Sequence, residues 1–500
     1  MKLRTNSIDS FRHKYPQARR AVLFVLFLIF GFVLVNSFRP APQHNFVKPL
    51  PQDPAVKVYF NYNQASKYED PYRHFKRKGD NLEQQIIDAI NNAQSTVDVA
   101  VMEFRLPKVA EALIAKHSTG VKVRVLIDNK YNKTLANYTP EEIARMNRHD
   151  KLAFEELKRY PADALALLRE SGIEIKDDTF GGATKGSGLM HHKFIVIDGK
   201  TAIISSGNLT TSDLHGDFNS LESRGNANNM VVILDNAELG NAFTDEFNYM
   251  WQGLFKSRKP YRPPVTIPVG QGTITLNFSP ASRKQDIETT SNGIIAFFVK
   301  QASSSVHIAV FVYSDQKISD TLGGVHDKGV EDIKVLIDPD FYRQPYSKAY
   351  DAMGVCPVPG KRKSKIKVKP WQNPITTVGF PTAPTGDRGV HSKMAILDGR
   401  LVITGSHNWS NAGNYSNDET LIAIDNPTVA AHYEREFSRL YGTAVVGLNS
   451  LPRAQKCGSD SLVSPTQPAT PTELEPIPSD NWIRDFYWIS ALVVLFLRLW

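Results

Sequence analysis

Five hundred residues, 41% hydrophobic and 22% charged, make a globular chain with room for two or three cores, which excludes disordered, collagen-like and coiled-coil architectures. Two cysteines, Cys356 and Cys457, are too few for a disulfide-stapled scaffold and lack the spacing of a thiolate zinc site. The formal charge of +8 is local: residues 1–20 carry +5 and the knot Lys361, Arg362, Lys363, Lys365, Lys367 and Lys369 carries +6, so the remainder is slightly acidic and implies no broad polyanion-binding face.

Residues 1–20 form a basic tail. Residues 21–38 carry no charge and as a helix would span about 27 Å against a hydrocarbon core of about 30 Å. With the basic flank, this predicts a transmembrane anchor with a cytoplasmic N-terminus and the body on the extracytoplasmic side. A signal peptide cut near Val35-Asn36-Ser37 is the alternative. Pro40, Pro42, Pro49, Pro51 and Pro54 make residues 39–54 a semi-rigid linker.

A repeat organises the body, residues 55–450. Val97–Val101, a helical stretch and Gly120–Asp128 read as strand, helix, strand, and the pattern returns at Val306–Val310 and Gly329–Asp338. Residues 191–210 then align with 391–410 without a gap, at an offset of 200. This predicts an α/β fold of two homologous sandwich repeats, 55–262 and 263–450, each a mixed sheet flanked by helices, packed about a pseudo-two-fold axis. The first repeat has a helical insert at about 129–171, opening on Thr139-Pro140-Glu141-Glu142, which reads as a cap near the site or as a plain surface hairpin. Residues 451–481 are a second Pro-rich linker. The apolar run in 482–500, Phe486–Leu497, makes only about 18 Å of helix, and leaves open a second anchor, an interfacial helix or a docked helix.

Both repeats carry His-x-Lys-x-x-x-x-Asp: His191, Lys193 and Asp198, then His391, Lys393 and Asp398. Strand alternation puts each His and Lys on one face. Asp198-Gly199 and Asp398-Gly399 are type I′ hairpin signals, so these aspartates support the turn. Ser206 and Asn208, and Ser406 and Asn408, follow at +15 and +17 from the histidines, and Glu419 follows in the second repeat. Two lysines and two amides suit the charge that grows on a phosphodiester's oxygens, and two imidazoles can serve as neutral nucleophile and protonated acid, with no metal or cofactor required. Asn229 falls at the position matching Glu419, so one histidine lacks its carboxylate unless Asp217 or Glu222 supplies it. His192, His215 and His407 face away by strand parity and read as a metal cluster only weakly; Trp409 reads as core rather than as a stacking platform.

These residues resemble the phospholipase D superfamily, and the resemblance covers nearly all of residues 59–440. It implies that both histidines share one cleft between the repeats, one attacking phosphorus to form a phosphohistidine and the other protonating the leaving alcohol and then activating water. By the same resemblance His191 is the nucleophile and His391 the acid. The implied activity is hydrolysis of membrane phospholipid to phosphatidic acid and an alcohol. A metal-independent nuclease with nucleic acid as partner, a phosphatidyl transferase of cardiolipin synthase type and an inactive binding module are the alternatives, and no obligatory protein partner is implied.

Overall fold

Runs of valine and isoleucine read as strands, and the structure gathers them into two sheets. This computed structural model describes residues 47–182, 188–358, 368–451 and 453–457. The segments 21–38 and 482–500 and most of the basic knot lie outside the described residues. Among the described residues no helix is long and apolar enough to cross a membrane.

In chain order come β1 (Val56–Phe60), the hairpin β2 (Lys67–Glu69) and β3 (Lys76–Lys78), α1 (Leu82–Asn91), β4 (Thr96–Val101), α2 (Pro107–Ser118), β5 (Lys122–Ile127), α3 (Pro140–Arg145), α4 (Arg148–Leu157), α5 (Ala164–Glu170), β6 (Glu174–Asp177), β7 (Lys193–Ile197), β8 (Thr201–Ser205), α6 (Thr211–Leu214), β9 (Asn229–Ile233) and α7 (Ala237–Trp251). There follow β10 (Val265–Val269), β11 (Gly272–Ser279), α8 (Ser291–Lys300), β12 (Ser305–Val310), α9 (Gln316–His326), β13 (Asp332–Ile337), α10 (Pro339–Tyr342), α11 (Ala349–Met353), β14 (Val355–Pro357), β15 (Val378–Pro381), β16 (Lys393–Leu397), β17 (Leu401–Gly405), α12 (Asn411–Tyr415), β18 (Glu419–Asp425), α13 (Pro427–Gly442), β19 (Ala444–Val446) and β20 (Ala454–Lys456).

The first sheet has the order β1-β9-β8-β7-β4-β5-β6, and the same order recurs in the second as β11-β18-β17-β16-β12-β13-β15, with β10 and β19 added at its edges. In each, strands joined by a helical crossover run parallel, as β4 with β5 and β12 with β13, while the motif strand runs antiparallel to its neighbour, as β7 with β4 and β16 with β12. β7 and β16 are buried along their whole length, because both faces of each sheet are covered. Helices α7 and α13 lie in an apolar layer that holds residues of both sheets, including Phe60, Phe194, Phe243, Ile274, Ile422 and Phe437. Outer layers cover the other faces, with α1, α2 and α5 on the first sheet and α8 and α9 on the second.

The hairpins form as their Asp-Gly pairs predict: Asp198 and Gly199 have φ of 53° and 63°, and Asp398 and Gly399 of 53° and 60°. The expected insert divides. The capping box of Thr139 and Glu142 starts α3 as predicted, but α5 packs on α2 and feeds β6 beside β5, so it is the crossover of the sheet and not part of a cap. Helix α4 braces a loop instead, its Glu156 accepting from the backbone N–H of Phe218 and Asn219. Cys356 and Cys457 form a disulfide across the paired β14 and β20.

Candidate active site

The two His-x-Lys segments enter the central strands β7 and β16, and each is stitched to the opposite half. His191 N–H donates to Asp418 C=O and Asp418 N–H to Leu189 C=O, each at 2.9 Å, just ahead of β18. Reciprocally, His391 N–H donates to Ala227 C=O at 3.0 Å and Ala227 N–H to Arg388 C=O at 3.1 Å, just ahead of β9. Backbone pairing therefore carries each histidine to the strand end of the other half.

The imidazoles find their partners there. His191 Nδ1 lies 2.7 Å from Glu419 Oε2, a fully buried carboxylate that also accepts from Ser406 Oγ at 2.7 Å and from Asn417 Nδ2 at 3.1 Å. His391 Nδ1 lies 3.0 Å from Asn228 Oδ1, which accepts from Ser206 Oγ at 2.8 Å, and 3.5 Å from Asp213 Oδ1. Ser206 and Ser406 are thus buttresses of the groups that hold the histidines.

The expected equivalence of Asn229 with Glu419 is corrected by one residue. Ser206 N–H donates to Asn229 C=O as Ser406 N–H donates to Thr420 C=O, which pairs Asn228 with Glu419. A shift of one along a strand turns the side chain to the opposite face, and Asn229 accordingly points away, accepting from Thr404 Oγ1 and Tyr433 OH at 3.0 Å each. Neither suggested substitute carboxylate serves His391. Asp217 accepts from Ser212 Oγ, and Glu222 is exposed. Asp213 fills that place, held by Asn226 Nδ2 at 2.6 Å and Asn208 N–H at 2.7 Å. Its local signal, Thr210-x-x-Asp213 at a helix start, reads as capping, which hides the second role.

Both lysines are buried, Lys193 Nζ donating to His191 C=O at 2.9 Å and Lys393 Nζ to His391 C=O at 2.5 Å. Asn208 and Asn408 are alike in that each has a buried Oδ1 without a hydrogen-bond partner, and the O and N of an amide are interchangeable by a flip. Burial pushes the His191 imidazole down to about 4 although Glu419 pulls the other way. Burial and then Lys393 hold His391 well below its ordinary value. Lys193 falls to about 8 and Lys393 to about 7, burial leading in both and Lys193 next for Lys393. Burial opposes ionisation of Glu419 too, yet the groups around it, His191 first, bring it down to about 2. The two motifs thus gather buried groups whose protonated forms a nearby anion favours.

A family model described as cardiolipin synthase, PLD-like domain, matches residues 86–251 and 295–441. The chain belongs to the phospholipase D superfamily. Among curated superfamily members, phospholipase D of Rickettsia typhi is 30% identical over 162 residues, covering 31% of this chain and 68% of that protein. Mitochondrial cardiolipin hydrolase of Xenopus tropicalis is 27% identical over 160 residues, covering 32% of this chain. This chain spans 56% of that relative's length. Among solved structures, phosphatidylserine synthase of Haemophilus influenzae Rd KW20 superposes with a TM-score of 0.49 and 13% identity, over 80% of this chain and 89% of that one.

Other residues of this superfamily member take supporting places. Asp198 accepts from the N–H groups of Gln94, Ser95 and Thr96, and Asp398 from those of Ser303, Ser304 and Ser305, away from the histidines, as the hairpin reading expects. Trp409 is buried against Tyr313. The three histidines weighed as metal ligands go to separate partners: His192 to Thr420 and Glu246, His215 to Tyr68 and Glu83, His407 to Asn292. His192, Glu246 and Asp418 do bring ligand atoms within 4.8 Å of one another. Lys259 already bridges those two carboxylates, 2.7 Å from Asp418, and Arg262 pairs with Glu246, so side-chain cations fill the place a metal would take.

Proposed function

We propose that this chain is a membrane-associated phosphodiesterase of phospholipase D type that cleaves phospholipids to phosphatidic acid and an alcohol through a phosphohistidine on His191. The observation that carries the reading is the reciprocal stitching of the two His-x-Lys segments, which gives His191 a buried carboxylate on Nδ1. A carboxylate there holds the proton on Nδ1, leaves the Nε2 lone pair free, and stabilises the cation that forms when Nε2 bonds phosphorus. His391, held by a neutral amide with Asp213 farther off, is the acid. As the His191 N–P bond forms, the P–O bond to the leaving alcohol breaks and the alkoxide takes a proton from His391. His391 then removes a proton from water, which attacks phosphorus; the N–P bond breaks and His191 is regenerated. Lys193, Lys393, Asn208 and Asn408 serve as donors to the non-bridging oxygens, where charge develops. A phosphodiester anion raises the histidine pKa values as it binds, which loads His391 with its proton.

The apolar segment 21–38 and its basic flank support a body held beside a lipid surface on the extracytoplasmic side, and pairing of the two cysteines of the sequence suits an oxidising compartment. The test gives the full chain, in detergent and EDTA, phosphatidylcholine or phosphatidylglycerol vesicles and, in parallel, single-stranded DNA, with His391→Asn as control. Lipid cleavage that survives EDTA and vanishes in the variant is expected. DNA cleavage with silent vesicles makes the protein a nuclease instead.

A further inference from the structure

The two repeats keep one spacing from the motif histidine to Asn208 and Asn408, and then part. Asn228, the partner of His391, lies 37 residues after His191, whereas Glu419, the partner of His191, lies 28 residues after His391. The first repeat therefore carries nine more residues between α6 and β9 than the second carries between α12 and β18. That extra chain is the loop 216–226, and it is held from several sides. Arg73, paired with Asp70, donates to the carbonyls of His215, Asp217, Ser220 and Ser223 at 2.6 to 3.0 Å. Asp387 of the second half accepts from Ser223 Oγ and from the N–H groups of Arg224 and Gly225. Glu156 of α4 holds Phe218 and Asn219, and the Phe218 ring packs edge-on to Tyr72 and Tyr160.

On this frame Leu221 is 82% exposed. Leu152, one helical turn before Glu156 on the bracing helix α4, is 54% exposed. A single bare leucine is ordinary on a protein surface. Here the hydrogen bonds fix the backbone on both sides of Leu221, so its exposure is imposed by the fold. The tip also belongs to the catalytic end of the sheets. Ala227, six residues beyond Leu221, accepts the His391 N–H at 3.0 Å, so Leu221 lies no more than about 25 Å from that histidine.

We propose that the loop 216–226 is a lipid-docking tip, Leu221 entering the acyl boundary of the bilayer that holds the substrate and Leu152 resting on the same surface. This rests on the membrane-associated reading above. Eight residues, 39–46, separate the segment 21–38 from the described body, about 25 Å of extended chain, so a bilayer stands within reach. In-line displacement sets the leaving alcohol opposite His191 and keeps the acyl-bearing oxygen in the equatorial plane. The acyl chains therefore run out sideways from the line between the histidines, while the headgroup stays beside His391. Glu222 and Arg224 carry opposite charges beside Leu221, as Asp150 and Lys151 do beside Leu152, so the contact is apolar and does not select anionic lipid.

The test reads the contact without turnover. The full chain with Leu221→Trp is reconstituted in vesicles of phosphatidylcholine, with or without phosphatidylglycerol, whose acyl chains are brominated or plain. The fluorescence of the introduced indole, taken as the difference from wild type, is expected to fall at least about two-fold with brominated chains in both lipid mixtures, because bromine quenches on contact. Leu221→Asp is expected to lower kcat/KM on vesicle phospholipid by about ten-fold, as for one leucine side chain returned to water, and to change the soluble diester bis(p-nitrophenyl) phosphate by less than about two-fold. An indole that bromine leaves unquenched overturns the docking tip; if its emission instead shifts with protein concentration in detergent, a second copy of the chain covers Leu221. Quenching only with phosphatidylglycerol overturns the apolar contact in favour of a charge-driven one. Quenching at the tip in a chain whose wild type cleaves no lipid supports the docking tip and overturns the phospholipase reading alone.

Discussion

Replacing Glu419 by glutamine tests the arrangement at its most buried point. The carboxylate is enclosed, touches His191 Nδ1 at 2.7 Å and is held by Ser406 and Asn417, so the substitution keeps the shape and removes the charge. The fall of its pKa from 4.5 to about 2 corresponds to about 3 kcal/mol of net attraction to its surroundings, His191 foremost. Coulomb attraction between an imidazolium and a carboxylate about 4 Å apart, at an effective dielectric of about 20, gives about 4 kcal/mol. Both figures place the loss at two to three decades of rate, confined to steps in which His191 becomes cationic. The assay is a rapid-mix burst with bis(p-nitrophenyl) phosphate, which reads formation of the phosphohistidine, with an alkaline quench to preserve the N–P bond. Glu419→Gln is expected to slow the burst by about 10²-fold to 10³-fold. A folded variant whose burst stays within about three-fold of wild type would refute the role given to this carboxylate.

Three other outcomes follow from the same structure. Lys393 and Lys193 are cationic only below about 7 and about 8, so kcat/KM on the soluble diester is expected to decline as pH rises across that window, and a flat profile from pH 6 to 9 contradicts it. Asp398 is depressed to about 2 by the backbone N–H groups of Ser303, Ser304 and Ser305, after burial that works the other way. Its contribution is present above the ordinary carboxylate value of 3.8 and is lost as pH falls through about 2. Asp398→Asn is therefore expected to cost about 1 kcal/mol at pH 7, discounted for its exposure, with a penalty that shrinks toward pH 2; chemical unfolding at both pH values measures this. Cys356→Ser opens a disulfide closing a sequence separation of 101, and is expected to lower stability by about 2–4 kcal/mol and to abolish the thiol-dependent shift in melting temperature seen on reducing the wild type.

Local chemistry made much of this protein legible in its sequence. The strand-helix-strand pattern at Val97–Asp128 and Val306–Asp338 follows from periodicity, the hairpins at Asp198-Gly199 and Asp398-Gly399 from the positive φ that such pairs tolerate, and the paired His-x-Lys segments from an ungapped offset of 200. Each of these signals lies within a few neighbouring residues. Tertiary structure decided the rest. Whether Asn228 or Asn229 faces His391 turns on strand register, where one residue reverses the face, and the chain Asn226-Ala-Asn-Asn229 offers two amides with no local cue between them. Glu419 reaches His191 across a separation of 228 and Asn228 reaches His391 across 163, because the strand ends of the two sheets are stitched together. Asp213, legible only as a helix-capping residue, becomes a partner of His391 by the same packing. The chain's local pattern thus specifies two similar units bearing the same reactive groups, and the contact between the units specifies which group each histidine leans on.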